Sequence, residues 1–415
     1  MIAPEYWIWL QTALGAGRRV EELLAYFGDA KSMFDAGRTE WLLSGCVTAR
    51  AADALARTSL RQSEEIVKTC SHEGWRVITW DSPSYPGRLA QIPCPPLVLY
   101  VWGDPAAMDQ PFAVSMVGTR SVSRYGARVA DELSFRLAQA GAVVVSGGAM
   151  GVDSICHLGA LRAGGQTVAV LGCGLGADYL RENAAMRERI SRQGAVVTEF
   201  PPYEKPTRRS FPIRNRIIAG LGLGTVVVEA GIRSGSLITA GAALEQGRDV
   251  FAVPGNITDA EFAGANALIR DGAKAVFDVR DILDAYGDLV DEAAKAGAAR
   301  YDPALPDETR AQLERGQRRQ SGKKVSAEKK KRTVSETKRE EKTEETPTRT
   351  RKTLPDGVSA NAANVYARLS GDAKSPDELQ DETGLDTGAL LAALTELELF
   401  GLAEAIPGRG YVLGA

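Results

Sequence analysis

The sequence is short of the residues that metal chemistry, redox chemistry and secretion draw on. It has five cysteines in 415 residues, Cys46, Cys70, Cys94, Cys156 and Cys173, and no two of them form a Cys-x-x-Cys pair. An odd number without close pairing argues against a disulfide framework and a zinc site, and suits a reducing cytoplasm. Only two histidines are present, His72 and His157, so a His-ligated metal or a His-centred triad has little material. No apolar run approaches the ~20 residues of a membrane helix, so no membrane is expected among the partners. The first residues, Met1-Ile2-Ala3-Pro4-Glu5, place no basic segment ahead of an apolar one, and no secretory signal is expected.

What the chain does have is glycine, 43 residues of it, within a globular balance of 44% apolar and 25% charged residues. Its length suggests two or three domains. Residues 1–72 read as short helices: Trp7, Leu10, Leu14, Leu23, Leu24 and Phe27 recur at helical spacing, broken at Gly15–Gly17 and Gly28. A Gly-x-Gly turn between short helices can hold a DNA phosphate, although a structural cap is the plainer reading. Residues 73–290 alternate short Val- and Ala-rich runs with helical runs. Strands are expected at 75–80, 97–101, 112–117, 142–146, 167–171, 195–199, 225–228 and 249–253, nearly all continuous in apolar character, as parallel strands buried on both faces are. The fold class is therefore α/β, a doubly wound Rossmann-like core.

Residues 291–354 read as a basic, disordered linker. Between Arg310 and Lys352 there are 16 Lys and Arg against 7 Glu, densest from Arg315 to Arg332. So few apolar residues cannot build a core alone. Residues 355–415 fold again. A helix is expected at 360–369. Ser375-Pro376 with Glu378 is a capping box opening a second helix, Asp386 opens a third, and a hairpin surrounds Pro407–Gly410, which together make a winged helix. This module holds ten Asp and Glu against three Lys and Arg, and its third helix has no cation at all. A protein contact suits it better than a DNA groove.

Three turns carry the chemistry. Gly118-Thr119-Arg120 follows a strand at the carboxyl edge of the sheet, where doubly wound folds bind ligands; an ordinary turn with a surface Arg fits equally. Ser146-Gly147-Gly148 through Gly151 precedes a helix and offers backbone N–H groups to an anion. Asp153 and His157 lie one helical turn apart, and a structural Asp–His hydrogen bond is expected in preference to proton transfer. The segment 200–221 sets Lys205, Arg208, Arg209, Arg214 and Arg216 against a single acid, Glu204, with Tyr203 and Phe211 interleaved and Asn215 between the last two Arg. Cations tracking a backbone, with aromatics for base stacking, suit a single strand. Pro212 is expected to start a helix that aims Arg214 and Arg216 at phosphate. The segments Ser234–Ala240, with Ser236 as a helix cap, and Gly247–Gly255 read as structural.

Together these segments resemble the DNA-processing protein A family (DprA/Smf). The resemblance runs in order through Gly118-Thr119-Arg120, Ser146 to Asp153 with His157, Phe211-Pro212 and Arg214 to Leu221, Ser234 to Ala240, Gly247-Arg248 through Gly255, and Gly264 to Ala273. It implies a Rossmann-like core, a SAM-like helical N-terminal domain and a C-terminal winged helix. It also implies single-stranded DNA binding without catalysis or cofactor, homodimers formed through the core, and loading of the RecA recombinase in natural transformation. The sequence departs from the family pattern at Leu180, Tyr203 and Gly222, where Pro, Gly and Ser are usual. An alternative of another class is a Rossmann-like nucleoside-monophosphate N-glycosidase, but its Pro-Gly-Gly-x-Gly-Thr loop has no counterpart at Glu229–Ser236 or Pro254–Asn256.

Overall fold

The computed structural model describes residues 2–290, 304, 306–316, 354–355, 357–370, 372–406 and 410–414. Two units, 1–325 and 326–415, have separate interiors.

The first unit begins with helices α1 (Pro4–Leu14), α2 (Glu21–Phe27), α3 (Ala30–Leu43), α4 (Ala49–Arg57) and α5 (Leu60–His72). Their shared core is aromatic: Trp7, Trp9 and Trp41 are buried with Leu10, Met33 and Leu55. Two of the indole N–H groups are satisfied locally, Trp41 by Met33 O at 2.6 Å and Trp9 by Leu55 O at 3.2 Å and Thr58 O at 3.1 Å, while that of Trp7 has no partner among the described residues. This helical cluster is pinned to the sheet that follows. Gln11 on α1 accepts from Val98 N at 2.8 Å and donates to Glu199 O at 2.7 Å, so one side chain bridges two strand ends.

The sheet has nine strands among the described residues. In chain order they are β1 (Arg76–Thr79), β2 (Val98–Gly103), β3 (Ala113–Val117), β4 (Val143–Ser146), β5 (Thr167–Leu171), β6 (Ala195–Thr198), β7 (Gly224–Val227), β8 (Asp249–Ala252) and β9 (Lys274–Ala275). Their spatial order is β1-β2-β6-β5-β4-β3-β7-β8-β9. From β6 across to β9 every pairing is parallel, while β1 and β2 add an antiparallel edge. The short α6 (Gly87–Ala90) joins β1 to β2; α7 (Arg124–Gln139), α8 (Val152–Arg162), α9 (Ala184–Gln193), α10 (Ser210–Leu221), α11 (Ser236–Glu245), α12 (Ala263–Arg270) and α13 (Arg280–Leu283) follow the later strands.

Strand alternation sorts the core into two layers. Val117, Val143, Val145 and Val170 meet Ile217 and Ile218 of α10 on one face. Val114, Met116, Val144 and Val226 meet Ala127, Ala130 and Ile155 of α7 and α8 on the other. Ser123 starts α7 by accepting from Gly126 N at 2.9 Å, which satisfies one of the free N–H groups of the first turn.

The chain fills positions β4, β5 and β6 on one side of β3, then returns to place β7 on the other. The turns after β3 and β7 therefore diverge at the carboxyl edge and leave a crevice between them, where folds of this type bind ligands.

Most of the stretch 291–354 expected as a disordered linker lies outside the described residues. Its part at 307–316 is a helix, α14, packed on the core, which corrects that expectation for these residues. Leu313 enters the layer of Ala127 and Val144. Thr309 Oγ1 donates to Asp131 Oδ1 at 3.2 Å, and Gln312 Nε2 donates to Asn183 Oδ1 at 3.3 Å. One leucine could not fold such a segment alone, but the core supplies the missing apolar surface.

The second unit contains α15 (Ala360–Tyr366), α16 (Pro376–Thr383), α17 (Thr387–Leu399) and the hairpin β10 (Ala403–Ile406)–β11 (Gly410–Leu413). The capping box is formed: Ser375 N donates to Glu378 Oε2 at 2.8 Å, and Glu378 N donates to Ser375 Oγ at 3.2 Å. Val365, Leu379, Leu390, Leu394, Leu397 and Leu413 make its core.

Candidate nucleic-acid interface

At the crevice between the β3 and β7 turns lies a cavity of about 420 Å3. Gly118, Arg120, Phe211, Arg214 and Asn215 line it, with Asp153 and the Ser234–Ser236 turn. In a parallel sheet the helix that follows each strand starts at the carboxyl edge. The first turns of α8, α10 and α11 all reach this cavity, each bringing a partial positive charge of about half a unit. The site thus has a positive potential before any side chain is counted.

The turns are held by close packing. A Cβ on Gly118 would come within 2.6 Å of Val152 Cγ2, and one on Gly147 would strike the guanidinium of Arg214. Gly147 therefore makes room for a buried cation. Arg214 is 4% exposed; its Nη1 donates to Val170 O at 2.6 Å, and its Nε has no partner among the described residues. Burial lowers the affinity of this guanidinium for its proton, and the Asp153 carboxyl raises it. Burial in turn pushes the Asp153 pKa up, with Arg214 pulling it down. Arg120 is exposed at the mouth, its guanidinium carbon 4.9 Å from the centre of the Phe211 ring. Phe211 also packs on Tyr179, ring centres 5.7 Å apart.

The remaining predicted residues are placed differently. Ser146 is buried behind the cavity, its hydroxyl donating to Met116 O at 2.6 Å. Gly148 has φ +63°, and its carbonyl accepts from Asn183 Nδ2 at 3.1 Å. Lys205, Arg208 and Arg209 are exposed on the loop between β6 and α10. Arg216 is not brought to the cavity. Residues two apart on a helix face away from each other, so Arg216 turns to Glu199 and forms an ion pair at 2.6 Å.

Three local expectations are corrected. His157 does not bond to Asp153; its Nδ1 lies 2.7 Å from Thr167 Oγ1. Thr167 spends its own proton on Val144 O at 2.6 Å, so the ring nitrogen donates to it. The helix expected from Pro212 starts at Ser210, and α11 is capped by Gly235 rather than Ser236. Of the departures from the family pattern, Leu180 takes φ +47°, which proline cannot adopt. Tyr203 packs on Trp75 with ring centres 6.2 Å apart.

Two features escaped the sequence reading. Ser234 and Ser236 read as structural, yet they line the cavity with their hydroxyls 2.8 Å apart. Paired hydroxyls around a Gly at a helix start were the available signal. Glu229 is fully buried at the end of β7 and ties down the β3 turn, accepting from Thr119 N through its carbonyl at 2.8 Å and from Ser123 Oγ at 2.7 Å. Among the described residues, no group of three or more His, Cys, Asp or Glu side chains could hold a metal ion. None of the helices described is long and apolar enough to cross a membrane.

Known proteins are similar to this chain. The family model for DNA recombination-mediator protein A matches residues 76–287, and that for the DprA winged helix domain matches 347–409. DNA processing protein DprA of Bacillus subtilis is 40% identical over 212 residues, 51% of this chain and 71% of that one. Protein Smf of Synechocystis is 33% identical over 342 residues, 80% of this chain and 79% of that one. The X-ray structure of DNA processing protein A from Streptococcus pneumoniae superposes with a TM-score of 0.60 at 33% identity, covering 68% of this chain and 98% of that one.

Proposed function

The chain belongs to the DNA recombination-mediator protein A family, and from that membership and the cavity at the β3–β7 crevice we propose that it holds single-stranded DNA there and places the RecA recombinase on the strand during transformation. The observation that carries the reading is Arg214: a cation 4% exposed, lining an open cavity, with an N–H that no described residue accepts. Burying a cation away from water is costly, and a phosphate entering the cavity offsets that charge. Arg120 at the mouth and Phe211 beneath it add a charge for the backbone and a ring for a base. Exposed Lys205, Arg208 and Arg209 continue the cationic path along the loop before α10.

The same proposal includes pairing of two copies through the core, since α11 and the turn before it leave Ile232 and Leu244 exposed. Two linked sites hold a strand more firmly than one. Light scattering at micromolar concentration checks it.

Arg120→Ala and Lys205→Ala test the site. Each is expected to weaken binding to a poly-dT oligomer and to lower the slope of log K against log salt by about 0.7. Unaltered affinity in the Arg120→Ala, Lys205→Ala double variant would overturn the reading.

A further inference from the structure

A second cavity of about 350 Å3 lies on the other side of the first turn of α10, between that turn and the end of α1. Two remote parts of the chain supply its cations: Arg18, just after the Gly15–Gly17 turn, and Arg209, at the start of α10. Both are exposed, and neither forms an ion pair among the described residues. Two carboxylates line the cavity, Glu199 and the exposed Glu204, and the buried one is already committed. Glu199 accepts from Arg216 Nη2 at 2.6 Å and from Gly17 N at 3.1 Å. Gly17 has φ +71°, and a Cβ there would come within 3.0 Å of Ile213 Cγ2, so this turn and α10 are fitted to each other. Arg216 retains Nε and Nη1 without partners among the described residues. With Glu199 neutralised, Arg18 and Arg209 stand against Glu204 alone, and the balance at the rim is positive.

We propose that this cavity is a second phosphate subsite for the same DNA strand, with Arg18 and Arg209 as its cations, so that the N-terminal helices take part in holding DNA. The proposal rests on the single-strand reading of the Arg120 cavity. Phe211, Arg214 and Asn215 face that cavity, whereas Ser210 and Ile213 face this one. The two sites therefore flank one helical turn. A helix is about 10 Å across with its side chains, a width that a strand crossing the start of α10 covers in about two nucleotides, given at most ~7 Å between successive phosphates. Arg209, at the start of α10, belongs to the second cavity and lies next to the crossing.

The test measures binding of the full chain to dT oligomers of 2, 4, 8 and 20 nucleotides across a salt series, for the wild type, Arg18→Ala, Arg18→Glu and Arg120→Ala. For the 8- and 20-mers, Arg18→Ala is expected to lower the salt slope by about 0.7, and Arg18→Glu to lower affinity further. The dinucleotide, too short to span both cavities, is expected to bind the wild type and Arg18→Ala alike. Because Arg18 is exposed, circular dichroism of both variants should match the wild type. An Arg18→Glu protein that binds the 20-mer as the wild type does overturns the subsite. An equal loss on the dinucleotide overturns it too, because a general charge effect would then suffice. Arg120→Ala reads separately: no loss there at any length overturns the primary site and leaves the Arg18 result to stand or fall by itself.

Discussion

Arg214 and Arg216 show how much a single helical step decides. The sequence makes them equivalent, two cations in a basic segment; the helix turns one toward the cavity and the other onto Glu199. His157 shows the same dependence on surroundings. Fully buried, it has its pKa lowered from 6.5 to about 3, first by burial and then by the charge of Arg214. The unfolded chain takes up a proton at this residue near pH 6.5, and the folded chain does so only near pH 3, so the unfolded state binds more protons in that window. The stability this residue provides is present above pH 6.5 and is lost as the pH falls toward 3, at no more than about 1.4 kcal/mol per pH unit. Urea midpoints followed from pH 7 to pH 4 are expected to fall less steeply for His157→Gln than for the wild type. Parallel curves would show that His157 is not the titrating group.

The helix at 307–316 changes what the basic segment after it can do. Its last residue, Gly316, lies against the turn that carries Arg120: a Cβ placed there would be 3.3 Å from Arg120 O. The chain that follows, 317–352, holds 14 Lys and Arg against 6 Glu. Charge tethered so close raises the local attraction for a polyanion, within a Debye length of about 10 Å at 0.1 M salt. Deleting 317–352 while keeping 307–316 is expected to weaken single-strand binding severalfold at 50 mM salt and to matter little at 300 mM. Equal affinity of the two proteins at both salt concentrations would make the segment a spacer only.

At the scale of the whole molecule, the two units differ in the charge they offer to DNA. The winged helix of the second unit carries ten acidic and three basic residues, and α17 leaves Leu391 and Leu399 exposed, with Phe400 just after it. An apolar stripe with acidic neighbours suits a protein partner, whereas a helix in a DNA groove needs groups that tolerate phosphate. A 355–415 fragment is expected to show no binding to duplex DNA at physiological salt in a fluorescence-anisotropy titration, and residues 1–354 are expected to retain the single-strand affinity of the full chain. Duplex binding by the fragment would reverse this assignment.

Much of this was legible in the sequence because it is local. Continuous Val and Ala runs marked the buried strands to within a residue or two, since a parallel strand needs apolar side chains on both faces. Ser375 with Glu378 marked a helix start because the capping box closes within three residues. The Gly118, Gly147 and Arg214 segments could be selected by type, since phosphate binding requires bare backbone and cations. Tertiary structure alone decided which of these meet. The return of the chain across β3 brings Arg120 from the β3 turn, Arg214 from α10 and Ser236 from the start of α11 into one cavity. The close fit of Gly17 to Ile213 brings Arg18 beside Arg209, 191 positions later. The docking of 307–316 depended on apolar surface that the segment does not itself contain. Such contacts depend on the complementary shape of distant surfaces, and the residues on either side carry no local mark of their partner.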